Sequence, residues 1–261
     1  MLRLLTLLPI LIAAALTACG PGVSGGDRSS VGRYAGEVLG TAGLVFYARM
    51  DEEQGSVSDF FGRAIGIPEG LPFYRVQGGM QNSGNGGEDQ PNLAIDFTGA
   101  NVCFNLGQVD TLRLQRSRGF TIMFMAYGNA AGPYQVIGSW DSVGFQEWKV
   151  FLTAGSQIAF QWTPNGSGGT TATFGSYTAT WDHYAVTVNA VGDVTGFQNG
   201  SQVNFLPNNV FSEIYTGAQN DIRIGCNVTG EYMNGGLDEI AVYNRVLSHE
   251  DIIRINLARQ N

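Results

Sequence analysis

Asn234-Gly235-Gly236-Leu237-Asp238-Glu239-Ile240-Ala241-Val242-Tyr243-Asn244-Arg245-Val246-Leu247-Ser248 is the stretch from which the fold is read. Ile240 and Val242 alternate with Glu239, Ala241 and Tyr243, which is the two-residue period of a strand with one buried face. The same parity places Asp238 on the inward side with Ile240 and Val242, where a carboxylate needs a partner. Past the strand, Ser248-His249-Glu250-Asp251 reads as the start of a short terminal helix, with Ser248 as N-cap and acids in the first turn.

Upstream, short apolar runs recur between Gly, Asn, Asp and Ser at 44–48, 93–97, 101–106, 120–127, 134–138, 147–153, 157–162, 172–177, 181–189, 194–198 and 221–226, before the closing run at 237–243. These runs without a long helical period predict an all-β fold, a two-sheet antiparallel sandwich. Trp148, Val150 and Leu152 share one parity, 153–157 turns, and Ile158, Phe160 and Trp162 share one parity on the return, a hairpin with one apolar face. In 182–188 the alternation is blurred, but Val186 and Val188 read as inward.

The chain has 261 residues, with 37 Gly, 44% hydrophobic and 14% charged residues and a net charge of −8. That composition supports one sizeable core and excludes disorder and coiled coil, while the acidic balance excludes a cationic nucleic-acid footprint. Residues 1–18 carry only Arg3, followed by an apolar run at 4–16 too short to span a hydrocarbon core, and read as a signal peptide. The run ends in Leu16-Thr17-Ala18-Cys19-Gly20, which resembles the lipobox of bacterial lipoproteins. It implies lipidation of Cys19 and, with Gly20 following, delivery to the outer membrane. Residues 19–42 are then anchor and Gly/Ser-rich tether, and 43–261 the folded domain. Cys103 and Cys226 remain, either bridged as an exported pair or buried as free thiols.

Several pieces, in order, resemble the laminin-G-like, concanavalin A-like jelly-roll family. The closing stretch 234–248 is similar to its last strand and helix cap, Gly43-Leu44-Val45-Phe46-Tyr47 to its opening strand, and Leu93-Ala94-Ile95-Asp96-Phe97-Thr98-Gly99 to its "DFDG" strand and turn. Phe120-Thr121-Ile122-Met123-Phe124 follows, then Trp181-Asp182-His183-Tyr184-Ala185-Val186-Thr187, similar to "WHHVAVT", and Asn199-Gly200 at a hairpin. The resemblance covers about 43–258. It implies a jelly roll with a short C-terminal helix. Departures are Phe197-Gln198, where an aliphatic pair is common, and a Gly/Asn-rich insertion around Gly78 to Asp89.

Glucanases of this family carry two glutamates flanking an aspartate on one strand, and no Glu-x-Asp-x-x-Glu run exists here. Asp51-Glu52-Glu53 and Asp238-Glu239 are adjacent acids, whose side chains point to opposite faces of a strand. His183 and His249 lie in a strand motif and at a helix start, without a Ser or Cys partner. The chain therefore reads as a binding module rather than an enzyme. The resemblance implies calcium as a cofactor, for which Asp96 and Asp238 are the candidate ligands. It also implies loop aromatics stacking on sugar rings beside Asp or Asn: Trp140 with Asp141, and Trp162 just before Asn165, are the candidates for ligand binding. Trp148 and Trp181 read as packing. The three Asn-x-Ser/Thr sites read as turns.

The expected function is that of a lipid-anchored binding module of the cell envelope, whose partner is a glycan or a surface protein. Two other classes stay open. A structural or adhesive protein would show a flat apolar patch; a glycoside hydrolase with an unrecognised site would show two carboxylates about 5–9.5 Å apart in a groove.

Overall fold

The computed structural model describes residues 32–79, 92–98, 101–128, 132–141 and 145–260. The expected signal peptide, Cys19 and the first part of the expected tether lie outside the described residues. Two helices, α1 (Arg33–Gly40) and α2 (His249–Ala258), flank sixteen strands in that described part. In chain order these are β1 Leu44–Ala48, β2 Val57–Ser58, β3 Ile65–Glu69, β4 Phe73–Gln77, β5 Leu93–Asp96, β6 Cys103–Asn105, β7 Phe120–Tyr127 and β8 Tyr134–Trp140. The series continues with β9 Gln146–Leu152, β10 Gln157–Trp162, β11 Thr170–Ser176, β12 Asp182–Val188, β13 Val194–Gln198, β14 Ser201–Leu206, β15 Arg223–Ile224 and β16 Gly236–Tyr243.

They form two antiparallel sheets. The first runs β14-β13-β12-β7-β16-β5-β4, with β1 also paired to β16, and the second runs β11-β10-β9-β8-β15-β6-β3-β2. Their facing sides share one core, in which Trp148, Val150, Leu152, Ile158, Phe160 and Trp162 pack with Phe120, Ile122, Phe124, Val186 and Val242. The β9–β10 hairpin pairs Trp148 with Trp162, Val150 with Phe160 and Leu152 with Ile158, so the parity read from the sequence is the parity of the fold. Cys103 and Cys226 are joined by a disulfide across 123 residues. In the chain-entropy picture a loop of that length contributes about 5 kcal/mol.

The first sheet is covered on both faces. Met123, Met125, Ala185, Phe197, Ala241 and Tyr243 point outward into a second apolar layer with Tyr34, Ala35 and Val38 of α1 and Ile252 and Ile255 of α2. This double burial explains why β7 reads as an unbroken apolar run and why 182–188 shows no clean alternation. It also corrects the expected tether: residues 33–40 form α1, whose Tyr34, Ala35 and Val38 make one buried stripe, so the fold begins at α1 rather than at Gly43. Burying Val38 alone is worth about 2 kcal/mol. The Tyr243 hydroxyl donates to the Val38 carbonyl at 3.1 Å, and the Arg254 guanidinium of α2 pairs with Glu37. The α2 cap is a full capping box between Ser248 and Asp251.

A second correction concerns Asp238. The β16–β7 register shifts between Asp238 and Ala241, and Glu239 sits in the left-handed region at φ 55°, so β16 carries a bulge. Leu237 and Ile240 both face the sandwich core, with two residues rather than one between them. The extra residue reverses the parity, and Asp238 lies opposite Met125, on the helix-covered side. Its Oδ2 accepts from the Gly79 N–H at 2.8 Å, while the Tyr47 hydroxyl donates to Glu239.

His183 lies in the same outer layer with no exposed surface, edge-on to Tyr34 at 6.1 Å between ring centroids, and neither ring nitrogen has a hydrogen-bond partner. Burial, helped by the Arg259 charge, lowers its pKa to about 3. The unfolded chain thus takes up a proton near pH 6.5 that the folded chain refuses until about pH 3. The stability from neutral His183 is complete above pH 6.5 and drains away as pH falls toward 3. Urea midpoints measured at pH 7 and pH 4 are expected to drop more in the wild type than in His183→Gln.

Candidate functional site

The exposed face of the second sheet carries the site. On β9 the inward parity of Trp148, Val150 and Leu152 sends Glu147, Lys149 and Phe151 outward, yet Glu147 and Lys149 are buried because two loops close over them. Each is held by one of those loops. Glu147 accepts from the Ser139 hydroxyl at 2.7 Å and from the backbone N–H of Gln219 at 3.2 Å. Lys149 donates to Glu231 at 2.5 Å, with its ammonium 4.9 Å from the Trp140 ring centroid and 4.5 Å from that of Phe151. Burial pushes the Lys149 pKa down and the Glu231 carboxylate pulls it back up. Glu231 also takes the Asn227 amide at 2.7 Å, while the Asn227 carbonyl oxygen caps the backbone N–H groups of Thr229 and Glu231.

Between the two pinned loops lies a cleft of about 230 Å³ lined by Trp140, Asp141, Gln219, Asn220, Asp221, Arg223 and Val228. Trp140 is 7% exposed and forms part of the floor. Gln219 at the rim is exposed and left-handed, with φ 52°, a conformation that costs a non-glycine residue energy and is over-represented at functional sites. The buried Glu147 carboxylate holds it there. Asp221 accepts from the Asn105 amide at 2.9 Å, and Arg223 pairs with Glu69 at 2.5 Å. The cleft is therefore rich in hydrogen-bonding groups, with two carboxylates against one guanidinium, around the Trp140 floor.

A larger cleft, about 430 Å³, lies at Gln77, Tyr127 and Trp181. Its polar groups are already engaged: the Trp181 indole N–H donates to the Gln77 carbonyl, and the Tyr127 hydroxyl donates to Asp96 at 2.9 Å. Burial, with that bond and the Asp96 charge, pushes the Tyr127 pKa up to about 12. A third, of about 290 Å³, is lined by Arg113 and Arg118 among others, with Arg113 tied to Asp110 and the Thr216 carbonyl.

The structure therefore separates the sequence-derived candidates. Trp140 and Asp141 line the cleft. Trp162 does not: it has no exposed surface and faces the core, as its parity with Phe160 requires. Asn165 is an exposed turn residue whose side chain accepts from the Ser167 N–H at 3.3 Å. Asp96 and Asp238 sit on neighbouring strands, since Asp96 pairs with Gly236, but their oxygens do not make a calcium cage. Both Asp96 oxygens are engaged, by the Thr98 N–H and the Tyr127 hydroxyl. Asp238 takes a backbone N–H and lies near the charge of Arg49. Among the described residues the one cluster of three or more potential ligands is Glu69 with Cys103 and Cys226, and its two sulfurs are spent in the disulfide. Among the described residues, Asp96 and Asp238 as placed do not fit a calcium ion.

Glu147, Lys149, Gln219, Asp221, Arg223 and Glu231 were missed from sequence because their contacts join positions far apart in the chain. One signal was available: the only lysine of the chain lies on a strand whose neighbours face inward, so it had to point outward beside Glu147. Removing one partner of a largely buried pair leaves the other unmatched. Lys149→Met is expected to lower stability by about 3 kcal/mol in urea unfolding, and adding Glu231→Gln to recover part of that loss.

The family described as the concanavalin A-like lectin/glucanases superfamily matches residues 104–253. Among solved structures, domain 4 of AbnA, a GH43 extracellular arabinanase from Geobacillus stearothermophilus, solved with arabinotriose, superposes with a TM-score of 0.58 at 17% identity, over 82% of this chain and 98% of that one. The binding domain of botulinum neurotoxin serotype G superposes with a TM-score of 0.60 at 12% identity, over 82% and 50%. That of Paraclostridial Mosquitocidal Protein 1 gives 0.56 at 15%, over 82% and 52%. The chain thus spans about half the length of the toxin domains it resembles. No curated protein matches the sequence. The sheet order, the disposition of the core and the matched residues agree that this chain belongs to the concanavalin A-like lectin/glucanases superfamily.

Proposed function

We propose that this protein is a non-catalytic glycan-binding module, exported and lipid-anchored through Cys19, which binds sugar in the cleft between Trp140 and Gln219. The observation that carries the reading is the left-handed Gln219, fixed by the buried Glu147 at the rim of that cleft. The strained backbone at Gln219, held through its N–H by Glu147, places an exposed amide side chain beside Asp141, Asp221 and Arg223, where it is open to sugar hydroxyls. The cleft is smaller than the ~300 Å³ at which enclosed small-molecule pockets usually begin, which favours a single sugar unit of a longer chain. The AbnA domain solved with arabinotriose supports the choice of a glycan as ligand.

The outer-face carboxylates favour binding over hydrolysis. Glu147 and Glu231, beneath the cleft, are both engaged as structural acceptors, and of the two carboxylates that line it, Asp141 and Asp221, the latter already accepts from the Asn105 amide, whereas a glycosidase needs one free to give up a proton and one to attack or activate water.

The test is a glycan array of arabinan, galactan, β-glucan and sialylated oligosaccharides, followed by titration calorimetry on the best binder. Asp141→Ala and Gln219→Ala are expected to weaken binding at least tenfold with unchanged urea midpoints. Binding unaffected by both substitutions, or release of reducing sugar from the bound glycan, would overturn the reading.

A further inference from the structure

The hairpin β2–β3 and the chain just after it carry an unusual load of exposed apolar side chains. Phe60, Phe61, Ile65, Ile67, Leu71 and Phe73 are each between 46% and 85% exposed, all within fourteen residues. Gly66 faces the core against Val57 and Phe104, so the flanking Ile65 and Ile67 point outward. At the tip, Phe60 and Phe61 meet edge to face at 5.8 Å, and the Arg63 guanidinium lies 4.2 Å from the Phe61 centroid. Single exposed apolar residues are ordinary, but six within fourteen residues of chain mark a surface that is covered in use.

Charge and chain path indicate what covers it. Between 57 and 73 only Asp59, Arg63 and Glu69 carry charge, and each is matched: Arg63 by Asp59 at 3.4 Å and Glu69 by Arg223 at 2.5 Å. In a chain of net charge −8 this patch does not add to the repulsion from an anionic leaflet. The chain also enters the fold beside it. Tyr34 of α1 shares a buried cluster with Tyr47, and Tyr47 touches Phe60 through its ring at 6.2 Å and through its carbonyl, which accepts the Phe60 N–H at 2.7 Å. Twelve residues, 20–31, separate Cys19 from Gly32, the residue before α1, and twelve residues reach at most about 40 Å.

We infer that the Phe60-Phe61 tip and the outward residues of β3 dock on the surface of a lipid bilayer. The inference rests on the anchored reading of Cys19, because a tether this short holds the patch at high effective concentration against the membrane, and an anchor joined to a second apolar contact is the arrangement that binds stably. Docking through this edge fixes the orientation of the domain on the bilayer.

The experiment uses the full chain, matured in a bacterial host, with Phe61→Trp as reporter on vesicles of phosphatidylcholine carrying brominated acyl chains. Flotation reads anchoring and quenching of the added indole reads docking. The expected result is flotation with at least half of the added fluorescence quenched. Flotation without quenching overturns the docking and leaves the anchor standing. In Cys19→Ala, loss of flotation with quenching retained at raised vesicle concentration supports the docking and attributes attachment to the anchor. Unchanged flotation of Cys19→Ala with quenching retained supports docking and overturns the anchor. No quenching in either form overturns the docking. A concentration-dependent dimer without vesicles that buries the indole also overturns it, in favour of a second copy of the chain.

Discussion

Strand β16 is bonded on one side to β7 and on the other to both β5 and β1, and every one of its residues is buried. A strand with three partners and two covered faces leaves little freedom of register, and the bulge at Asp238–Glu239 is where the strain of serving both β5 and β1 is taken up. Its consequences spread in both directions. Inward, Leu237, Ile240 and Val242 meet the second sheet; outward, Ala241 and Tyr243 need the cover that α1 and α2 supply.

That cover decides where a ligand meets a sheet face. With the outer side of the first sheet buried beneath two helices, the outer side of the second is the broad face left, and there β9 presents Glu147 and Lys149. Neither touches ligand in this account. They act by holding loops: Glu147 fixes Gln219, and Lys149 with Glu231 fixes the 227–231 turn and seats Trp140. Placing Glu147, Lys149 and Glu231 beneath the cleft gives its loops rigidity and leaves Asp141, Asp221 and Arg223 at the lining.

Legibility in the sequence followed burial. Strands with one or two buried faces, such as β7, β9, β10, β12, β13 and β16, were legible because period and apolar content report burial directly. The pieces that went unseen have other causes. β14 exposes Val203 and Phe205, pairs along one edge only, and so shows no alternation that tracks burial; β2 and β3 lie at the opposite rim. α1 hides in a Gly-rich stretch because eight residues carry too weak a local signal, and its stability comes from Tyr34, Ala35 and Val38 finding a sheet face that only the fold creates. Asp238 was misplaced because one extra residue in a strand reverses every side chain beyond it. Trp140 and Asp141, read as a loop pair, both line the cleft, although Trp140 ends β8 and is nearly buried. Trp162 was chosen on the same ground against its own strand parity, and that parity was the stronger signal.

The central claim is that sugar is met by the cleft on the second sheet and by no other aromatic of the chain. The most direct measurement follows the four tryptophan indole N–H signals by two-dimensional nuclear magnetic resonance during titration with the oligosaccharide selected on the array. Trp148 and Trp162 are fully buried in the core and serve as internal references. The account predicts a saturable shift of the Trp140 signal with those two and Trp181 unmoved; a shift confined to Trp181, at the Tyr127 cleft, would contradict it.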